Sequence, residues 1–257
     1  MSQDVDPRSV VDPTAKIGRG CVLGPFCVVE AGAELGEGCI LEPFARVCRN
    51  STLGSGVRLG QGAVVGGLPQ VTGIERAGGC AIGDRTRLGE YATVHSSADP
   101  DGCTSIGPDA MVMAYAHVGH DCSIGSAVVL ANGVQLAGHV GIDRGSFVGG
   151  AALVHQFVVV GEFAFVAGGI RLDRDLAPWS RAMGEPARWA GTNLVGLRRS
   201  TQAPDVAEAS AALRIVFRKG LGLDQATTIL TNSGDDASAR LLVFLARSRR
   251  GLLRTRQ

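Results

Sequence analysis

Aliphatic residues recur at every sixth position along most of the chain. From Ile17 they run through Leu23, Val29, Leu35, Leu41, Val47, Leu53, Leu59 and Val65, and after a break through Ile82, Leu88 and Val94. The series resumes at Ile106 and continues through Val112, Val118, Ile124, Leu130, Leu136, Ile142, Val148, Val154, Val160 and Val166. Two residues before each stands a small or β-branched one, among them Ala15, Cys21, Cys27, Ala33, Ala110, Ala116, Cys122 and Val128. Two inward positions per six residues, alternating as in a strand and followed by a turn, predict an all-β parallel β-helix with three hexapeptides per coil of about 18 residues. Coils stacked ~4.8 Å apart bury each aliphatic in a thin prism, at roughly 1.5–3 kcal/mol apiece.

The pattern breaks twice. Residues 67–78, GLPQVTGIERAG, are too many for the step from Val65 to Ile82, and residues 96–105, SSADPDGCTS, fill a missing repeat and carry Pro100 and Gly102. Excursions of this kind in solenoids often border a binding site. The repeat is expected to end near Ala167, after which helical patterns appear. PDVAEASAALRIVFRKG reads as a helix with Pro204 at its first position and Gly220 as its stop; LDQATTILTNSG and DDASARLLVFLARSRRG read as two more, the last with Leu241, Phe244 and Leu245 on one face. The chain therefore divides into a β-helix over 1–186 and a small helical domain over 187–257.

Composition narrows the function classes. A formal net charge of +1 on 257 residues offers no basis for binding nucleic acid or an anionic membrane surface. No run of 18 apolar residues is present, and the polar, acidic start MSQDVDPRSV is unlike a signal peptide, so a cytoplasmic protein is expected. Of seven cysteines, Cys21, Cys27, Cys39, Cys80 and Cys122 fall on the small inward position and are expected to be core residues, not ligands or disulfides.

Five histidines carry the candidate chemistry. Numbered modulo 18, His120, His139 and His155 give 12, 13 and 11, which predicts a column on one outer edge, with Asp121, Gly138 and Gln156 beside it; His117 stands half a face away. Two chemistries fit such a column. One is a neutral imidazole acting as a general base, its tautomer fixed by a carboxylate. The other is a three-histidine zinc site of the kind found in hexapeptide-repeat carbonic anhydrases.

Over nearly its full length the sequence resembles the acyl-carrier-protein-dependent UDP-N-acetylglucosamine O-acyltransferases, the first acyltransferases of lipid A synthesis. The stretches that carry this are LGPFC (23–27), AHVGHDCSIG (116–125), LANGVQLAGHV (130–140), VHQF (154–157), GTNLVGLRRS (191–200) and FLARSRRGLLR (244–254). The resemblance implies a left-handed β-helix, a homotrimer with active sites between neighbouring prisms, and no cofactor beyond the phosphopantetheine thioester of the acyl carrier protein. It implies His120 as general base with Asp121 behind it and the Gly138 N–H as oxyanion donor. Gln70, His95, His117, His139, His155 and Gln156 match substrate-contacting positions, Gly168 one that limits acyl length, and Asn193 and Arg199 residues that hold the nucleotide from the adjacent subunit. The sequence departs from the family pattern where that pattern has charges: Val71 and Gly73 replace an Asp and a Lys, Val195 a Glu, and Ser200 the second of an Arg pair. These departures allow an altered acceptor, or a nucleotide-sugar-binding paralogue without catalysis, as alternatives.

Overall fold

The computed structural model describes residues 4–74, 76–218 and 220–254. Its main body is a three-faced prism of parallel strands, most of them two residues long. Among the described residues the faces hold eleven, nine and eight strands. The first face begins with Asp4–Val5, the second with Val10–Val11 and the third with Lys16–Ile17, and the chain visits them in that order in each coil. Registers such as Val22↔Ile40 and Val129↔Phe147 show the 18-residue coil directly. The coil winds as a left-handed β-helix, with a small helical domain following it.

The hexapeptide positions fill the prism as the pattern predicts. Leu23, Leu41, Leu59, Leu130, Leu136 and Ile142 are almost fully buried, and so are the five inward cysteines. The cysteines also hold the stack: the thiols of Cys21, Cys39 and Cys122 donate to the carbonyl oxygens of Gly36, Gly54 and Ala137 in the next coil, each at 3.1 Å. Burial pushes Cys39 up to about 11 and Cys122 to about 12, so neither thiol ionises near neutrality. The repeat runs further than expected at both ends, taking in Val5 and Val11 before Ile17 and Leu172 after Val166.

Both excursions leave the prism at one corner. Arg58 pairs with Arg87, 29 residues on, and Arg87 pairs with Met111, 24 residues on. The extra residues lie between Val64–Gly67 and Gly79–Ile82 and between Thr93–His95 and Cys103–Ile106, in each case on the passage from the second face to the third.

Beyond Leu172 the first face is finished by Ser180–Met183 and an antiparallel partner, Arg188–Thr192, which periodicity did not foretell. Four helices follow among the described residues: α1 Leu194–Arg199, α2 Val206–Val216, α3 Leu223–Ser233 and α4 Asp236–Arg247. The expected start of α2 at Pro204 moves inward by the cap chemistry, because Asp205 accepts from the N–H groups of Ala207 and Glu208. Gly234 ends α3 in the left-handed conformation (φ 71°). Trp179, Leu213, Leu230, Leu241 and Phe244 form a second core under the helices. Glu162 on the prism joins the two parts by accepting from Arg144 at 2.8 Å and from Arg240 of α4 at 3.1 Å. No helix of the described residues is long and apolar enough to cross a membrane.

Candidate active site

The corner where the excursions emerge is also the corner of the histidines. The His117–Val118 strand on the second face leads into the turn Gly119-His120-Asp121, and Ser123–Ile124 begins the third face. Stacking coils at an 18-residue period puts Gly138 beneath His120, and His139 beneath Asp121. Asp121 and His139 both take the left-handed turn conformation, with φ near 60°.

His120 Nδ1 lies 2.6 Å from Asp121 Oδ2. With the carboxylate ionised, Nδ1 is the protonated nitrogen that donates, and Nε2 keeps its lone pair. Burial works against ionisation of Asp121, but hydrogen bonds from the Ser97 hydroxyl, His120 and the Ala98 N–H outweigh it and hold the carboxyl below its ordinary range. His139 Nε2 approaches the same carboxylate oxygen to 3.7 Å, and its ring meets that of His120 edge-on with centroids 5.1 Å apart.

The His120 ring rests over Gly138. A Cβ there would lie 2.5 Å from Cε1 and closer still to Nε2, so the position needs glycine to leave room for the imidazole. The Gly138 N–H has no hydrogen-bond acceptor among the described residues, and its carbonyl accepts from Phe157 N at 3.3 Å. A free amide beside a basic nitrogen is suited to stabilising an oxyanion that forms next to it.

A cavity of about 370 Å³ opens at this corner. Gln70 from the first excursion, His95, His117, His120 and Gly138 line it, with Gln135, Leu136, Ala137, Leu153 and Val154 supplying a mostly apolar wall. Thr93 Oγ1 holds His117 Nδ1 at 2.8 Å, and the His95 and His117 rings meet edge-on at 4.9 Å. His95 Nδ1 is buried with no hydrogen-bond partner among the described residues. Burial, helped by the nearby His95 and His120, pulls His117 down to about 4, so its imidazole is neutral at pH 7. Between pH 6.5 and 4 the folded chain thus binds fewer protons at this group than the unfolded chain. Its contribution to stability is complete above pH 6.5 and is lost as the pH falls toward 4. Denaturant titrations of the wild type at pH 7 and pH 5 should show this loss, and His117→Gln should reduce the difference.

The remaining candidates fall elsewhere. His155 does not join the ring ladder; it is exposed, its Nδ1 lies 3.1 Å from the Gln156 carbonyl, and Phe157 stacks on His139 in its place at 4.8 Å. Its remainder, 11, puts it in the column of Gly119 and Ala137, one position short of the corner. The three-histidine zinc set is therefore not assembled. The metal-capable cluster found among the described residues is His120, Asp121 and His139, with ligand atoms within 4.8 Å of one another. Gln156 is half-buried in the column of His120 and Gly138, outside the cavity lining. Gly168 lies on the corner between the first and second faces, against Gly150. Asn193 is buried as the cap of α1, donating to Phe163 O and accepting from Gly196 N. Arg199 lines a separate cavity with Ser126, Arg144 and Phe163, on the corner between the third and first faces. The candidates thus occupy all three corners of one prism.

Sequence reasoning missed Ser97 and Thr104, which bind Asp121. Thr104 occupies an inward slot, two residues before Ile106, and a hydroxyl at a core position was the available signal. A larger cavity, about 870 Å³, lies beneath the 67–78 excursion beside Arg46, Arg49 and Arg76. It holds none of the histidine chemistry, and its guanidinium groups are paired with Glu30 and Asp101.

The chain is similar to known proteins in sequence and in fold. Residues 175–253 match a family described as UDP N-acetylglucosamine O-acyltransferase, domain 2, and residues 103–138 match the bacterial transferase hexapeptide repeat. An acyl-(acyl-carrier-protein)–UDP-N-acetylglucosamine O-acyltransferase of Burkholderia mallei is 38% identical over 206 residues, covering 77% of this chain and 79% of that protein. One from Campylobacter concisus is 39% identical over 194 residues, 74% of each chain. The solved UDP-N-acetylglucosamine acyltransferase of Francisella novicida superposes with a TM-score of 0.93 at 32% identity, covering 97% of this chain and 94% of its own. That of Campylobacter jejuni superposes at 0.92 and 33% identity, covering 98% and 100%. Repeat, histidine corner and helical domain thus coincide in one sequence, and the chain belongs to the UDP-N-acetylglucosamine O-acyltransferase family.

Proposed function

We propose that this enzyme transfers a fatty acyl group from acyl carrier protein to the 3-position of a UDP-N-acetylglucosamine-type nucleotide sugar, with His120 as general base. The observation that carries the reading is the pair His120–Asp121, with Nδ1 on the carboxylate at 2.6 Å and the ring seated over a glycine with a free N–H. His120 Nε2 takes the proton of the acceptor hydroxyl as its oxygen bonds to the thioester carbonyl carbon. Gly138 N–H donates to the resulting oxyanion, the C–S bond breaks, and the imidazolium returns its proton to the departing thiolate of phosphopantetheine. Asp121 holds the tautomer and supports the positive charge without itself becoming protonated.

A single prism cannot bring Asn193 and Arg199 to His120, because they stand on different corners. This supports a homotrimer in which the nucleotide lies between one subunit's histidine corner and its neighbour's α1, where an Arg fork suits phosphate. Residues 1–186 would supply the transfer site and 187–257 the nucleotide clamp, in a cytoplasmic enzyme using no metal. Gln70, His95, His117, His139, His155 and Gln156 would contact substrate, and Gly168 would leave space for the acyl chain. Exposed Val71 and Val195 replace charges of the family pattern, so acceptor contacts near them are apolar here.

Purified protein incubated with acyl carrier proteins of several chain lengths and a panel of UDP-sugars should transfer acyl groups to a UDP-hexosamine. Mixed His120→Ala and Arg199→Ala chains should recover activity that each lacks alone, since some clefts then have both groups intact. Nucleotide-sugar binding without transfer would favour the non-catalytic paralogue, and transfer unaffected by His120→Ala would sink the base assignment.

A further inference from the structure

Asp121, behind His120, is held at its carboxylate and at its backbone N–H by two other segments. Asp121 Oδ1 accepts from the Ser97 hydroxyl, and Oδ2 accepts from the Ala98 N–H at 3.2 Å as well as from His120. The Asp121 N–H donates to Thr104 Oγ1 at 2.8 Å, fixing a turn whose left-handed backbone is unfavourable for a residue with a Cβ. Ser97 and Thr104 are both fully buried.

The second excursion is shaped to deliver Ser97. Ser97 N donates to Gly79 O at 3.1 Å and Ser97 O accepts from Gly78 N at 2.9 Å, which pins the segment to the start of the Gly79–Ile82 strand in the preceding coil. A Cβ at Gly78 would lie 2.5 Å from the Gly102 carbonyl oxygen, so the close approach requires glycine. The Ser97 oxygen accepts from Asp99 N at 3.0 Å, which leaves its proton to go either to Asp99 O, also at 3.0 Å, or to the carboxylate. The ionised acceptor is the stronger one.

We propose that Ser97 and Thr104 are positioning residues that fix the Asp121 carboxylate, and through it the tautomer and tilt of the His120 imidazole. The proposal rests on the reading of His120 as base. Neither residue lines the substrate cavity, so losing either hydroxyl should act on kcat and leave KM unchanged. Without the Ser97 donor, more negative charge faces the imidazole, the imidazolium is favoured, and the acid limb of the pH profile moves to higher pH. The other titratable groups around the pair are His139, at 3.7 Å from the carboxylate, His117 and His95 on the cavity side, and Asp99 on the excursion, whose carboxylate accepts from Asp101 N. All four stay in place in the variants.

The experiment compares Ser97→Ala, Thr104→Val and Thr104→Ser with the wild type. It reads kcat, KM, the pH profile of kcat/KM, thermal unfolding, and the His120 ring-proton and nitrogen resonances in histidine-labelled protein. Ser97→Ala and Thr104→Val should each lower kcat about tenfold with the fold intact, and Thr104→Ser should restore it. Ser97→Ala should also move the acid limb upward and shift the Nδ1 proton resonance. Wild-type kcat and pH profile in both Ser97→Ala and Thr104→Val would overturn the proposal, as would equal losses in Thr104→Val and Thr104→Ser. The resonances need no turnover. If the wild type transfers no acyl group, an unshifted Nδ1 proton in Ser97→Ala still rejects the clamp, and a shifted one still supports it.

Discussion

Gly138→Ala should abolish acyl transfer as fully as His120→Ala, a drop of roughly 10²–10⁴-fold in kcat/KM. The added methyl would occupy the space now filled by the imidazole, 2.5 Å from Cε1. The ring would have to leave, and its bond to Asp121 with it. Alanine keeps the backbone N–H, so the oxyanion donor survives the substitution, and the loss reports displacement of the base alone. Thermal unfolding should change little, because Gly138 lies in an outer turn and not on an inward position. A Gly138→Ala enzyme within threefold of wild type would show that His120 does not act from the position seen here.

Asp175→Ala should cost about 3–5 kcal/mol of stability, the sum of three partly buried donors left unpaired around a fully buried side chain. Asp175 is fully buried and accepts from Val159 N at 2.8 Å, Ser248 Oγ at 2.7 Å and Arg250 N at 3.0 Å. Its own backbone pairs with the chain after α4, through Gly251 O and Leu253 N. This tail seats Leu253 in the main core. The loss should read as a lower denaturant midpoint and as new protease cleavage within residues 248–254. Asp175→Asn, which keeps an acceptor for Val159 N, should fall between the two. A midpoint within about 1 kcal/mol of wild type for Asp175→Ala would show that the tail docks by apolar contact alone.

The solenoid was legible because one physical requirement, an aliphatic facing inward every sixth residue, repeats at nearly every coil. What the count could not carry was anything that depends on side-chain direction across columns. His120, His139 and His155 fall in three adjacent columns, and only the first two rings meet, because the imidazole of His120 lies over the bare Gly138 toward the next coil. The hydroxyl of Ser97 was invisible for another reason: it reaches Asp121 from an excursion whose length breaks the modulo-18 arithmetic. The antiparallel pair 180–183 and 188–192 and the short α1 lack any period long enough to announce them. The helices α2 to α4 were readable from their apolar faces, and their ends only to the accuracy of their caps.

The registry between coils also has a geometric corollary. Gly141 pairs with Val159 and Phe147 with Phe165, so the eighteen residues 141–158 form one interchangeable layer between the histidine corner and the helices. Duplicating such a layer would keep the residues that face the catalytic turn and displace the bundle along the axis by one increment of ~4.8 Å. The span separating base from bundle is in this sense quantised. A lineage could change it only in whole steps, never by gradual drift.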